Sequence, residues 1–187
     1  MKQQTKKVLV IGASIAGPAI CYWLNQYGYD ITLVERSRAL RKGGYAIDIR
    51  GIAVEVARQM GIYQQVCQKR TSLRSGKYVD LNGKILSEED GETAGCREGD
   101  DVEIVRGELV DILLKAVADV SPRFNTYATK FNQQADGVAV TFNTGETELY
   151  DLIIAADGLH SSTRKQVFAE SRYQMKDLGA YISVCSV

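Results

Sequence analysis

Val8-Leu9-Val10-Ile11-Gly12-Ala13-Ser14-Ile15-Ala16-Gly17 opens a stretch that closes, after a helical segment, on Ile31-Thr32-Leu33-Val34-Glu35-Arg36. An apolar β-branched run that breaks into glycines, continues as a helix and returns as a second apolar run ending in a carboxylate has the layout of a dinucleotide-binding βαβ unit. Val8 to Ile11 are apolar without alternation, as in a parallel strand covered on both faces. Gly12 permits the tight strand-to-helix turn, position 14 must be small so that backbone can approach a pyrophosphate, and Gly17 lets helix and strand pack closely. Position 14 is serine rather than glycine; it is small enough to fit, and its hydroxyl can donate to a phosphate oxygen. A pyrophosphate over Gly12, Ala13, Ser14, Ile15, Ala16 and Gly17 would meet the unpaired N–H groups and positive dipole end of the helix.

Within that helix Ala16, Ala19, Ile20, Trp23, Leu24 and Tyr27 recur at three- and four-residue steps and predict the buried face. Pro18 falls in the first turn, where its missing N–H removes no hydrogen bond, and Gly28 is a natural stop. Glu35 closes the second run at about the 20-residue distance of a ribose-binding acid, where its two oxygens can accept from both hydroxyls.

Around this unit the composition is ordinary for a globular chain of 187 residues, with a net charge of zero. A phosphate-backbone binder would show clustered positive charge, so nucleic acid is not the expected partner. The apolar runs are too short for a membrane span, and Met1 to Lys7 leads into a strand rather than a signal sequence, which predicts a cytoplasmic location. Cys21, Cys67, Cys96 and Cys185 have no metal-ligand spacing and read as reduced thiols, with Cys21 and Cys185 packed. No metal site is expected.

Further along, the basic Ser37 to Gly44 loop reads as solvated. Tyr45 to Ile49 predicts a short strand and Gly51 to Met60 and Ile62 to Gln68 predict helices. Tyr78 to Leu81 and Lys84 to Leu86 flank Asn82-Gly83, the signature of a two-residue hairpin turn, and Glu88 to Asp101 reads as a solvated loop. Val102 to Val105 predicts a strand feeding a helix over Arg106 to Ala118. Arg106 stands in the first turn of that helix, where the dipole disfavours a cation and a carboxylate or a cofactor phosphate would compensate. Phe124 to Gln134, Val138 to Phe142 and Glu146 to Tyr150 predict an antiparallel meander. Leu152 to Ala156 is again fully apolar and predicts a central strand of the parallel sheet, ending in Asp157-Gly158, where open α/β sheets bind ligands. Ser161 is positioned as the N-cap of a helix containing Arg164. His160 has no carboxylate or nucleophile at triad spacing and reads as an exposed loop residue, so no catalytic side chain is assigned.

Three signals stand in order: Gly12-x-Ser14-x-x-Gly17 with Glu35-Arg36, then Arg106 opening a helix, then Asp157-Gly158-x-x-Ser161-x-x-Arg164. Together they resemble the FAD-dependent aromatic hydroxylases, the single-component flavin monooxygenases that include para-hydroxybenzoate hydroxylase-like and tetracycline-inactivating enzymes. The resemblance implies an α/β fold: a Rossmann-like FAD-binding domain of the glutathione-reductase type with an inserted antiparallel β-meander. By the same resemblance Glu35 holds the adenosine ribose, with Arg36 beside it, Arg106 lies near the FAD pyrophosphate, and Asp157 and Gly158 serve FAD and pyridine nucleotide. Gly43-Gly44-x-x-x-Asp48 matches the segment beside the flavin. NAD(P)H would reduce the flavin, O2 would form a C4a-hydroperoxyflavin, and a small aromatic or polycyclic substrate would be hydroxylated.

Family members are longer and carry a later Gly-Asp-Ala segment and most of a substrate-covering sheet. The expected division is therefore an FAD-binding domain over 1–170 and, over 171–187, the start of a substrate-domain strand, with the second domain largely missing. The alternating apolar run from Tyr181 to Val187 is an edge for self-association or for a complementing half. Two other readings are an NAD(P)-dependent dehydrogenase, with Glu35 on the nicotinamide cofactor's ribose, and a non-catalytic nucleotide-binding fragment that needs a partner chain.

Overall fold

A computed structural model describes residues 5–40, 44–72, 75–91 and 97–179. The chain divides into two compact units, one formed by 1–41 with 113–187 and the other by 42–112.

In the first unit the predicted βαβ forms as β1 (Lys7–Ile11), α1 (Ala16–Gln26) and β2 (Asp30–Val34). The chain returns to the same sheet with β10 (Leu152–Ala155), giving a parallel order β10-β1-β2. Alternate residues of β1 feed two cores, which is why its sequence does not alternate. Val8 and Val10 pack with Leu33, Cys21, Val117 and Val120. Leu9 and Ile11 turn to the opposite face and pack with Val34, Ala128, Val140, Phe142 and Tyr150. That second layer is the predicted meander: β7 (Ala128–Gln134), β8 (Gly137–Phe142) and β9 (Thr147–Tyr150), antiparallel in the order β7-β8-β9. It begins later than predicted, because Asn125 adopts a positive φ of 52° and residues 124–127 form a loop.

Two expectations about this unit are corrected. The central strand is β1 rather than the Leu152 to Ala156 run, because among the described residues no strand pairs with the outer edge of β10, and Leu152 is 48% exposed. An unbroken apolar run reports covered faces and says nothing of which edges are paired. The buried side of α1 runs through Gly17, Pro18 and Cys21, with Ile20 and Leu24 packed beside it, while Ala16 is exposed and Tyr27 is 74% exposed. Small residues lead that stripe because the helix lies too close to β1 for large ones.

The second unit pairs β3 (Ala46–Ile49) antiparallel with β6 (Val102–Val105) and carries α2 (Ile52–Gln59) and α3 (Tyr63–Gln68). Its buried apolar residues include Ile49, Val54, Ala57, Met60, Ile62, Val66 and Ile104. The hairpin of β4 (Ser75–Val79) and β5 (Ile85–Asp90) has a longer loop than the two-residue turn predicted. The Asp80 carboxylate accepts from the backbone N–H groups of Asn82 and Lys84 at 2.8 and 2.9 Å, and this side-chain turn spreads the loop over Asp80 to Lys84. Glu88 to Asp90, expected in a loop, belong to β5. Helix α4 (Arg106–Ala116) carries the chain from the second unit back to the first. Cys21 is buried as a free thiol that desolvation pushes up to about 12, and Cys67 is a free thiol too; Cys96 and Cys185 lie outside the described residues.

A Cβ at Gly17 would stand 1.8 Å from the Gly12 carbonyl oxygen, whereas one at Gly28, where φ is +76°, meets nothing within 4 Å. Gly17→Ala should therefore lower stability in urea unfolding by about 3 kcal/mol or more, and Gly28→Ala by about 1 kcal/mol from backbone strain alone. Equal losses for the two would remove close approach as the reason for Gly17.

Candidate cofactor site

The C-terminal ends of β1, β2 and β10 lie side by side, with Ile11 against both Val34 and Ala155. Three turns leave the sheet there. The Gly12 N–H donates to the Val34 carbonyl and the Ala156 N–H to the Ile11 carbonyl, both at 2.8 Å, which draws the turns together. Gly12 has φ +107°, and a Cβ on it would stand 2.5 Å from the Ala156 carbonyl oxygen, so both the turn and the neighbouring strand require glycine.

Helix α1 starts at this edge without a side-chain cap and without an acidic residue in its first turn. Its 11 residues leave a positive dipole end suited to an anion. Beside it, Glu35 accepts from the Ala13 N–H at 3.0 Å through Oε2 and from the Ser37 N–H at 2.8 Å through Oε1. The acid predicted at the end of the second strand thus lies against the glycine-rich turn. The two contacts fix both carboxylate oxygens at the turn. Arg36 is exposed; its guanidinium donates to Ser162 Oγ at 2.6 Å and lies 5.4 Å from the centre of the Tyr127 ring.

Asp157 and Gly158 follow β10, and α5 (Ser162–Val167) follows them with Ser161 as its N-cap, accepting from the Arg164 N–H at 2.9 Å. Asp157 Oδ2 accepts from the Thr163 N–H at 3.0 Å, while Oδ1 is buried without a hydrogen-bond partner, as is Arg164 Nε. Burial pushes the Asp157 carboxyl up, but hydrogen bonds from Ser161 and Thr163 outweigh it and hold the group below the ordinary carboxylate range. A cavity of about 790 Å³ opens beside this turn, lined among others by Asp157, Gly158, Ser161, Thr163 and Arg164. Gly12 to Gly17, Glu35 and Arg36 are not among its lining residues. An uncapped helix start beside a fixed carboxylate and a buried acceptor without a donor together fit a phosphate-linked ligand that also carries hydroxyls.

The other two predicted site residues belong to the second unit. Asp48 on β3 pairs with Arg50 at 2.5 Å and with Arg97 at 3.5 Å. Arg106 is the first residue of α4, where Glu108 supplies acidic charge in the same turn, and its N–H donates to the Tyr45 carbonyl. Gly43 lies outside the described residues, and Gly44 faces the Arg106 side chain. Sequence reasoning missed Arg97, whose side chain is 10% exposed and which reaches Glu103 at 2.8 Å as well as Asp48. It also missed Thr163, which holds Asp157. Arg97 has no local signal toward Asp48, which lies far along the chain on β3. His160 is exposed, and among the described residues no group of three or more His, Cys, Asp or Glu side chains could hold a metal ion. No described helix is long and apolar enough to cross a membrane.

A family profile described as an FAD binding domain matches residues 5–184. The chain belongs to the FAD-binding domain family. A flavin-dependent monooxygenase from an unknown prokaryotic organism is 59% identical over 183 residues, 98% of this chain and 48% of that protein. One from Legionella longbeachae serogroup 1 (strain NSW150) is 51% identical over 97% of this chain and 46% of its own length. The chain spans about half the length of the curated relatives it matches. Among solved structures, tetracycline destructase Tet(55) superposes with a TM-score of 0.80 at 56% identity, covering 91% of this chain and 43% of that one. CtdE in complex with FAD, 23% identical, shares the fold with a TM-score of 0.71 over 87% of this chain and 40% of its own.

Because the folded Asp157 carboxyl lies below its ordinary value of about 3.9, its contribution to stability is full above that pH and is lost as pH falls through the folded value. In urea unfolding from neutral pH to about pH 3, Asp157→Asn should show a shallower acid decline than the unsubstituted chain, with the two curves converging at the acid end.

Proposed function

We propose that this chain is the FAD-binding portion of an NAD(P)H-dependent flavin monooxygenase, with the FAD domain of the glutathione-reductase type over residues 1–170. The observation that carries the reading is the contact of Glu35 with the Ala13 amide beside the uncapped start of α1. It sets a hydroxyl-accepting acid next to a phosphate-accepting turn, which is what the adenosine end of FAD requires.

In this reading the backbone from Gly12 to Gly17, with the Ser14 hydroxyl, receives the pyrophosphate. Glu35 accepts from the ribose hydroxyls, and Arg36 lies at the same adenosine end. Asp157 Oδ1 takes a hydroxyl or amide donor from the bound nucleotide, and Gly158 lets the backbone turn without a side chain in the way. The family resemblance gives Asp48 to the flavin side and Arg106 to the pyrophosphate. Bound FAD supplies the redox chemistry, accepting electrons from NAD(P)H and activating O2. The chain's own work is to bind, orient and neutralise charge, so no acid–base triad is called for. The likeness to tetracycline destructase Tet(55) supports a polycyclic or other small aromatic substrate. Dependence on NAD(P)H is in keeping with a cytoplasmic location.

Titration of the purified chain with FAD, followed by flavin fluorescence, tests the reading. FAD should bind more tightly than FMN, which lacks the adenosine, and Glu35→Gln should weaken FAD by about tenfold while leaving FMN unchanged. A chain that binds ADP-ribose or NAD but ignores FAD would sink the flavin assignment in favour of a dehydrogenase. A version carrying the remaining length of the relatives should consume NAD(P)H with O2.

A further inference from the structure

Glu35 is held from two sides. Its carboxylate meets its own neighbourhood, Ala13 and Ser37, but its backbone is held by a segment from far along the chain. The Glu35 N–H donates to the Arg123 carbonyl and the Thr126 N–H donates to the Glu35 carbonyl, both at 3.0 Å, while the Arg123 N–H donates to the Leu33 carbonyl at 2.8 Å. Val34 and Arg123 form an isolated parallel bridge, so residues 123–126 add one rung to the outer edge of β2 and frame the acid.

The meander braces this segment from its other side. The Arg123 guanidinium pairs with Glu148 Oε1 on β9 at 2.5 Å, and Glu148 Oε2 accepts from the Tyr150 hydroxyl at 2.9 Å. Tyr150 is 2% exposed and packs edge-on against Phe142 with ring centres 6.5 Å apart, so this end of the chain of contacts is rooted in the core. At the other end of the segment Asn143 donates to the Asn125 carbonyl at 3.1 Å and accepts from the Tyr127 N–H at 2.9 Å, and the Asn125 N–H reaches the Ser37 carbonyl at 2.9 Å.

We propose that Arg123 is a positioning residue for Glu35: its ion pair with Glu148 anchors residues 123–126 to the meander, and that segment fixes where the Glu35 carboxylate is presented. Arg123 does not touch Glu35 through its side chain. Its main chain makes the contacts and its guanidinium holds the main chain in place. For nucleotide binding the inference rests on the role proposed above for Glu35; for the geometry of Glu35 it stands alone. The charges near the pair are Lys7, which acts on Glu148, and Glu146, which acts on Arg123. Both favour the ionised pair.

The test has one arm that needs no cofactor. In the 187-residue chain, amide hydrogen exchange read by NMR should quicken at Glu35, Ser37, Thr126 and Ala13 by about fivefold on Arg123→Ala, with no change at Val140 in β8. Glu148→Gln, which keeps a partner for Tyr150, should produce the same local pattern. The double variant should add little to either, and Arg123→Lys should restore part of the protection. In the second arm, Arg123→Ala should weaken FAD by about fivefold and leave FMN unchanged. Exchange that stays at the original rate at Glu35 and Ser37, or that quickens equally across the whole sheet, would overturn the proposal. A chain that shows the local exchange pattern but does not bind FAD would leave Arg123 as the support of Glu35 and overturn only the cofactor reading.

Discussion

The contact between Gly17 and the Gly12 carbonyl is the constraint on which the rest of the first unit depends. No side chain fits between them, since even a Cβ would overlap the carbonyl oxygen at 1.8 Å. The helix therefore lies directly on the turn that feeds it. That closeness puts Cys21 among Val8, Val10 and Leu33, and brings the first turn of α1 to the edge where the parallel strands end. Gly12 repeats the device on the other side. Its lack of a side chain lets Ala156 approach, so β10 delivers Asp157 next to the same turn. Two glycines thus set the spacing of three strand ends, and the polar residues that follow those strands inherit their positions from backbone packing.

The acids at this edge are held differently from an exposed ion pair. Glu35 is met by two backbone N–H groups and Asp157 by the N–H of Thr163, with the hydroxyl of the capping residue Ser161 nearby. Backbone donors are fixed by the fold and carry no side-chain entropy of their own, so the carboxylates are oriented before any ligand arrives. Each acid also ties two segments together: Glu35 joins the first turn to the loop after β2, and Asp157 joins the end of β10 to α5. The same contacts that position the acids close the loops around them.

Much of this was legible in the sequence because it is local. The βαβ unit, the meander and the Ser161 cap each follow from residues close together in the chain, where periodicity and turn chemistry act. The readings that failed did so for identifiable reasons. The apolar spacing of α1 points to a stripe through Trp23 and Tyr27, whereas close helix–strand contact selects small residues such as Gly17 and Cys21. At Asn82-Gly83 the two-residue turn signature is overridden by the Asp80 side chain two positions earlier, which accepts from the Asn82 and Lys84 N–H groups. Arg97 and Arg123 were invisible for a different reason. Their partners, Asp48 and Glu103 for one and Glu148 for the other, are set by tertiary pairing, and an arginine in a polar stretch looks the same whether it is solvated or structural.

What the assembled residues can select follows from how they bind. Main-chain amides at a helix start recognise a phosphate by charge and geometry, and two carboxylates recognise hydroxyls; a dinucleotide satisfies both whatever ring its far end carries. Such a site is specific for the carrier and indifferent to the reaction. Choice among substrates requires contacts around the reacting ring, and among the described residues the apolar side chains of the candidate cavity, such as Phe131, Val138 and Phe168, lie on the β10 side rather than at the glycine-rich turn.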